Sequence, residues 1–374
     1  MGQCSLRKIN TFMFYFRYRP WSDISVKELL YNEIYFSSVK EANDPYEGKF
    51  FVKFKSDKSK WEKVFQNNEV FFQFYDNRNL FDKVVDFFSD KPEWTLDEIL
   101  ALTVGNFHSN GIHYKDADSF VRTLNPHFAN KFIGLQKYFV SFSRNCDNTL
   151  MWSHYASKHE GFCLIFNFED NKVKQDYQKS KTELPVKEIS DINPNCWAAK
   201  SQIPQNFDLH NVDYLAEIQA LDGFTWFDKT NFQQHKQKIH DLYLQKSEAW
   251  EYEEESRILL EMDRGVLGTS KWSKNQRLFH YDFNQLVGII LGYRMEQEAR
   301  EQIVEIIKEK IGTQSKEFGF CIFEAKLSMK YQKVDLEPVE IIISHDTEID
   351  KKDPRFQIVY KKWKDKYSSF STNN

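Results

Sequence analysis

Residues 250–261 read WEYEEESRILLE: four carboxylates and an arginine are grouped with Trp250 and Tyr252 ahead of the apolar run Ile258-Leu259-Leu260. As a strand, this stretch alternates Glu251, Glu253, Glu255 and Arg257 onto one face, and Tyr252, Glu254, Ser256, Ile258 and Leu260 onto the other. Glutamate is uncommon in strands, and like charges sharing a face repel. Such a cluster needs a compensating cation, a solvated face or a chemical task. As a helix, the same residues would form an ordinary charged surface. The strand reading is adopted here, with Arg257 or Arg19 as the expected counter-charge.

Composition narrows the class. The chain has 374 residues, 16% of them aromatic, including 34 Phe and 18 Tyr. It is long enough for one large domain with a sizeable core. With 13 Gly and 9 Pro, it does not read as a sandwich, a disordered chain or a low-complexity scaffold. A net charge of −4 advertises no affinity for DNA or an anionic membrane. Five cysteines (Cys4, Cys146, Cys163, Cys196, Cys321) occur without a CxxC pair, which suits a reducing compartment. No apolar run approaches the roughly 20 residues needed to span a bilayer. A soluble, cytoplasmic protein is expected.

Strands are predicted at 12–20 (FMFYFRYRP), 33–38, 138–143 (YFVSFS), 161–168 (GFCLIFNF), 286–292 and 319–327. Helices are predicted at 24–31, 149–159 and 296–312, with Asn148 or Thr149 capping the second. The expected class is α+β, a mixed and mostly antiparallel sheet. Residues 1–349 form a single catalytic domain with helical insertions at about 57–135 and 207–249, and residues 350–374 form a polar tail that frays.

The motifs GxGxxG, GxxxxGK[ST], GxSxG and HExxH are all absent, and the spacing of His154, His159 and Cys163 fits no zinc pattern. No metal is expected. Four polar patches stand beside strand signals. Arg17 and Arg19 share a strand face and can each bind phosphate or carboxylate bidentately. In ANDPYEG (42–48), Asn43 and Asp44 shape a turn, and Asp44 and Glu47 can bond an arginine. Ser141 and Ser143 share a face and precede a helix carrying Trp152, His154 and Tyr155, where Trp152 and Tyr155 can stack on a flat ring and His154 can exchange a proton. Glu253 and Glu255 are i, i+2 neighbours whose pKa values should be pushed apart.

FRYR (16–19), NDPYE (43–47), SFS (141–143), MWSHYASKHEGFC (151–163) and W-x-YE-x-E-x-R (250–257), in this order, resemble the bacterial family DUF2971 from about residue 14 to 292. Ala42 departs from the aromatic that the family more often places before Asn-Asp-Pro. That family name supplies no reaction. Arg19, Ser141-x-Ser143 and Glu253-x-Glu255 are also similar, in order, to the signature of ADP-ribosyltransferases. This second resemblance implies an NAD-consuming enzyme, a transferase or glycohydrolase, of the kind that serves as a bacterial toxin or phage-defence effector. NAD would be its substrate, and its acceptor could be a protein or a nucleic acid. Glu255 would be the catalytic carboxylate, Glu253 would orient the acceptor or water, and Ser141 and Ser143 would order the ribose pocket. Arg19 would hold the pyrophosphate, Trp152, His154 and Tyr155 would line the nicotinamide side, and Arg17, Asn43, Asp44 and Arg257 are further cofactor-binding candidates. A fixed carboxylate suits such chemistry because glycosidic cleavage builds positive charge on the sugar. Two rivals stand beside it. One is a metal-dependent nuclease using Glu324, Lys326 and Asp44. The other is a non-enzymatic nucleotide-sensing or protein-interaction module.

Overall fold

The computed structural model describes residues 13–48, 51–66, 78–133, 138–176, 206–217, 220–227, 232–260, 274, 277–313 and 316–367. Its main elements are, in chain order, β1 (Met13–Arg19), α1 (Asp23–Tyr31), β2 (Glu33–Tyr35), β3 (Ser37–Ser38), β4 (Tyr138–Ser143), α2 (Thr149–Tyr155), β5 (Phe162–Phe168) and β6 (His210–Asn211). They continue with β7 (Glu255–Leu260), β8 (Leu278–His280), β9 (Leu286–Leu291), α3 (Gln297–Thr313), β10 (Phe320–Ser328), β11 (Lys333–Ser344), β12 (Thr347–Asp350) and α4 (Phe356–Lys366).

A ten-stranded sheet runs in the order β6-β7-β4-β1-β5-β9-β10-β11-β12, with β3 also pairing β4. β9 and β10 are parallel, joined through α3, and the other pairings in this sheet are antiparallel. This is the α+β class, with a mixed, mostly antiparallel sheet. β5 is buried at every position, which explains its continuous apolar sequence FCLIFNF rather than an alternating one.

Each sheet face carries its own core. On one, Phe14, Phe16, Tyr18, Cys163, Ile165, Ile290 and Phe323 pack against Met151 and Trp152 of α2 and Trp363 of α4. On the other, Phe142, Phe162, Leu164, Phe166 and Ile258 pack against Leu29 of α1 and the i, i+4 row Ile303, Ile307 and Ile311 of α3. A third core belongs to the insertion, where Phe54, Trp61, Phe88, Phe107, Phe120 and Phe128 meet Phe224 and Phe227 from the later segment. Among the described residues, the insertion at 57–135 is mainly helical, with one short strand at Glu93–Thr95.

Three expectations are corrected. The strand reading of 250–260 holds only from Glu255: Glu248–Glu253 is a 3-10 helix, and Glu254 has a left-handed backbone (φ 43°) that breaks the alternation. The stretch 207–249 is not chiefly helical, since short strands precede its described helix, Phe232–Leu242. The C-terminal segment does not fray from residue 350, because Trp363 of α4 is fully buried and donates from Nε1 to the Val287 carbonyl at 3.1 Å. The helix at 149–155 begins where expected, with the Asn148 side chain accepting from Leu150 N and Met151 N.

β5 and β9 are tied at one end by Gly292 N donating to Gly161 O at 2.9 Å. A Cβ on Gly292 would stand 2.1 Å from the His159 carbonyl oxygen and 2.6 Å from that of Gly161. Both obstacles are backbone and cannot step aside. Gly292→Ala is therefore expected to lower stability by about 1–3 kcal/mol, as overpacked sites do, read from urea unfolding.

Candidate functional site

Arg257 is the centre of a buried charge network at the β7 side of the sheet. Antiparallel register sets Glu255 opposite Ser143 and Arg257 opposite Ser141, with Phe16 opposite Ser143, so these residues share the α2 face. Arg257 has no exposed surface. Its Nη1 and Nη2 donate to Glu47 Oε1 and Oε2 at 2.6 and 2.9 Å, and its Nε and Nη2 donate to Glu255 Oε1 and Oε2 at 2.7 and 2.8 Å. Nη1 also donates to the Tyr243 carbonyl at 2.7 Å. All five N–H donors of the guanidinium are thereby used. The guanidinium lies 4.7 Å from the Phe139 ring centre.

Lys246 extends the network, donating to Glu253 Oε2 at 2.6 Å and to Glu255 Oε2 at 3.4 Å. Glu253 Oε1 accepts from the Tyr155 hydroxyl at 2.5 Å, and that hydroxyl accepts from Asn43 Nδ2 at 2.5 Å. Asn43 is exposed and Tyr155 half-buried, so this chain of bonds runs from the surface to a buried carboxylate.

The electrostatics follow from the partners. Burial alone would raise the Glu255 carboxyl, but Arg257, Lys246 and a Ser141 hydrogen bond hold it at about 2. Glu47 is pushed up by burial and by the Glu255 charge, against the pull of Arg257. Burial works to lower Lys246, yet Glu255 and Glu253 raise it, so it stays an ammonium. Tyr155 is raised by burial and by Glu253, so it remains a phenol and a hydrogen-bond donor.

The expected site residues divide into three groups. Glu253, Glu255, Arg257, Ser141, Tyr155 and Asn43 are brought together, and Ser143 braces them by donating to the Glu253 carbonyl at 2.7 Å. His154 is exposed at the rim, its ring centre 6.4 Å from that of Tyr252. Asp44 is buried in the turn and accepts from Tyr46 N at 2.8 Å, which aims Glu47 inward. Two placements correct the reading. Trp152 is fully buried, crosses Tyr18 edge-on and donates to the Cys146 carbonyl, so it is core rather than a ring-stacking wall. Arg17 and Arg19 alternate onto the opposite sheet face, where Arg17 lies over Phe142 and Arg19 pairs with Glu28 of α1 at 2.5 Å. Strand parity forbids them from joining Glu255.

The nuclease constellation is not assembled either. Glu324 and Lys326 lie on β10, which four strands separate from β7, and pair with Arg300 and Glu337, while Asp44 lies in the turn beside the network. Among the described residues, no group of three or more His, Cys, Asp or Glu is placed to hold a metal ion. No described helix is long and apolar enough to cross a membrane. Glu47 was legible as an arginine partner, but Lys246 carried no signal, being an isolated lysine in the sequence QKSEAW.

The segment that supplies α2, Lys246, Glu253, Glu255 and Arg257 also matches a known family model. Residues 151–258 resemble the family described as Protein of unknown function (DUF2971). The match includes the MWSHY and YE-x-E-x-R segments of the DUF2971 resemblance; FRYR, NDPYE and SFS lie outside it. No curated protein and no solved structure matches the chain.

Removing one member of the Arg257 network should be costly. Arg257→Met leaves Glu47 and Glu255 buried without their cation, and is expected to lose about 3–5 kcal/mol in urea unfolding. Adding Glu47→Gln and Glu255→Gln to that variant should recover much of the loss. Glu255 also sets an acid limit. Its carboxyl sits below its ordinary 4.5, so its stabilisation is complete above that value and is lost as pH falls towards about 2. Glu47, shifted upward, contributes in the opposite direction. Glu255→Gln should flatten the fall of the unfolding midpoint between about pH 5 and 2 relative to wild type.

Proposed function

We propose that this protein consumes a nucleotide by breaking a glycosidic bond, with NAD as its leading substrate, at a site centred on Glu253. The observation that carries this reading is the chain Asn43–Tyr155–Glu253–Lys246, which links an exposed amide to a buried carboxylate and its cation. Glu253 replaces Glu255 as the working carboxylate. Glu255 is committed to Arg257 at both oxygens, whereas the contacts of Glu253 lead outward through Tyr155.

In this reading the C–N bond to nicotinamide breaks with its electron pair leaving on the nicotinamide, while positive charge develops on the ribose. The Glu253 carboxylate, fixed by Lys246, stabilises that charge, and water or an acceptor hydroxyl then bonds to the anomeric carbon and loses its proton. Tyr155 and Asn43 orient the sugar hydroxyls, and the His154, Tyr252 and Trp250 side chains supply the rim. Glu255 and Ser141 act by holding Lys246 and Arg257 in place. Arg17 and Arg19 take no part, being across the sheet. The wider role as a toxin or phage-defence effector, with a protein or nucleic acid as acceptor, accompanies the NAD reading.

One observation favours a second reading, a non-enzymatic nucleotide-sensing module: both oxygens of Glu253 are already engaged, by Tyr155 and Lys246. The two readings separate in one assay. Purified protein with NAD, with and without candidate acceptors, is expected to release nicotinamide, measured chromatographically. Glu253→Gln should reduce that release at least about 100-fold, as the loss of a charge-stabilising group does, with an unchanged circular dichroism spectrum. NAD bound without nicotinamide release selects the sensing module. Neither binding nor release removes both.

A further inference from the structure

The sheet face opposite the acid network carries an excess of positive charge that the proposed reaction does not use. Arg17 and Arg19 lie side by side on it, and Arg144, one residue beyond Ser143 on β4, falls on the same face and acts electrostatically on Tyr15. Against these three guanidiniums stands Glu28, which pairs with Arg19 Nη2 at 2.5 Å. Arg144 spends its Nε on the Glu254 main-chain carbonyl, and the Glu254 carboxylate is taken by Asn145.

Three donors on this face are unspent among the described residues. The Arg17 guanidinium makes no hydrogen bond or ion pair with a described residue, and it lies 5.8 Å from the Phe142 ring centre. Arg19 Nε is buried without an acceptor. The Tyr281 hydroxyl, on a residue only 2% exposed, is also unpartnered and couples electrostatically to Arg17. Buried polar groups without partners cost free energy, and a cation beside another cation costs more. Burial, and then the charge of Arg19, lower Arg17 to about 10. Arg17 is half-buried and the Arg19 side chain is 22% exposed, so both guanidiniums retain contact with solvent.

We propose that this face is a second binding site, separate from Glu253, for a phosphate-bearing small molecule gripped by Arg17 and Arg19, with Tyr281 as a further donor. Phosphate is favoured over carboxylate on two grounds. A phosphate monoester carries nearly two negative charges at neutral pH, which matches three guanidiniums set against one carboxylate. Guanidinium forks bind its oxygens bidentately. Because the sheet separates the two faces, a ligand here would act on the Glu253 site as an effector rather than as part of the reacting molecule. The inference stands whether or not NAD is the substrate.

Titration calorimetry with the full chain tests it, using inorganic phosphate, ADP and succinate as probes. Phosphate or ADP should bind and succinate should not; which of the two binds tells whether the ligand is the free ion or a phosphorylated metabolite. Arg17→Gln and Arg19→Gln should each weaken binding at least about tenfold, the loss of one charged hydrogen-bonding group. Tyr281→Phe, which removes a single hydroxyl, should weaken it about threefold and carries the test if an arginine variant does not fold. Glu253→Gln should leave this affinity unchanged. The proposal is overturned if neither phosphate nor ADP binds or if succinate binds as well. It is also overturned if Tyr281→Phe and the folded arginine variants bind like wild type, or if Glu253→Gln abolishes binding and so places the ligand on the other face.

Discussion

Arg257 holds together parts of the chain that are distant in sequence. Its five donors reach the turn at residues 43–48, the end of the helix at 232–242 and a neighbour on its own strand. A guanidinium with no exposed surface is tolerable only because every donor is met and two carboxylates surround it. The same condition fixes Lys246, which holds Glu253 between itself and Tyr155. Glu255 is bound by Arg257 at both oxygens, whereas the contacts of Glu253 lead through Tyr155 to the exposed Asn43.

The alternation of side chains across the sheet divides the polar residues more sharply than their sequence order suggests. Arg17 and Arg19 sit on β1, Ser141 and Ser143 on β4, and Glu255 and Arg257 on β7, three adjacent strands. Adjacency alone does not assemble a site. Phe16, not Arg17, stands opposite Ser143, and that single register relation sends the arginines to the α1 side and the acids to the α2 side. The outcome is a charge network centred on Arg257 on one face and the arginine pair on the other, with the sheet itself between them.

Much of the fold was legible because its signals are local. The aromatic alternation of β1, the unbroken apolar run of β5 and the i, i+4 isoleucines of α3 each show their periodicity within a dozen residues. The site was legible in part. The acids at 253–255 and Arg257 were conspicuous, and the turn NDPYE suggested an arginine partner. Lys246 was not visible, since its meaning depends on a 3-10 helix that brings it back to Glu253. Trp152 departs from the ring-stacking expectation because i, i+3 spacing to Tyr155 shows that two side chains share a helix side, not which of them meets solvent.

The sequence by itself determined the class of fold, the positions of the central strands and the identity of the charged residues that had to be compensated, because propensity, periodicity and the cost of burying charge act over short stretches or on composition alone. Tertiary structure decided which charges meet. The left-handed backbone at Glu254 converts an expected four-residue charge row into a buried pair, Glu255 and Arg257, with Glu253 turned towards Tyr155. Register between β1 and β4 decided that the arginine pair lies across the sheet from them. Both outcomes rest on one residue of phase in a backbone, and pairing between distant strands, rather than local sequence, sets that phase.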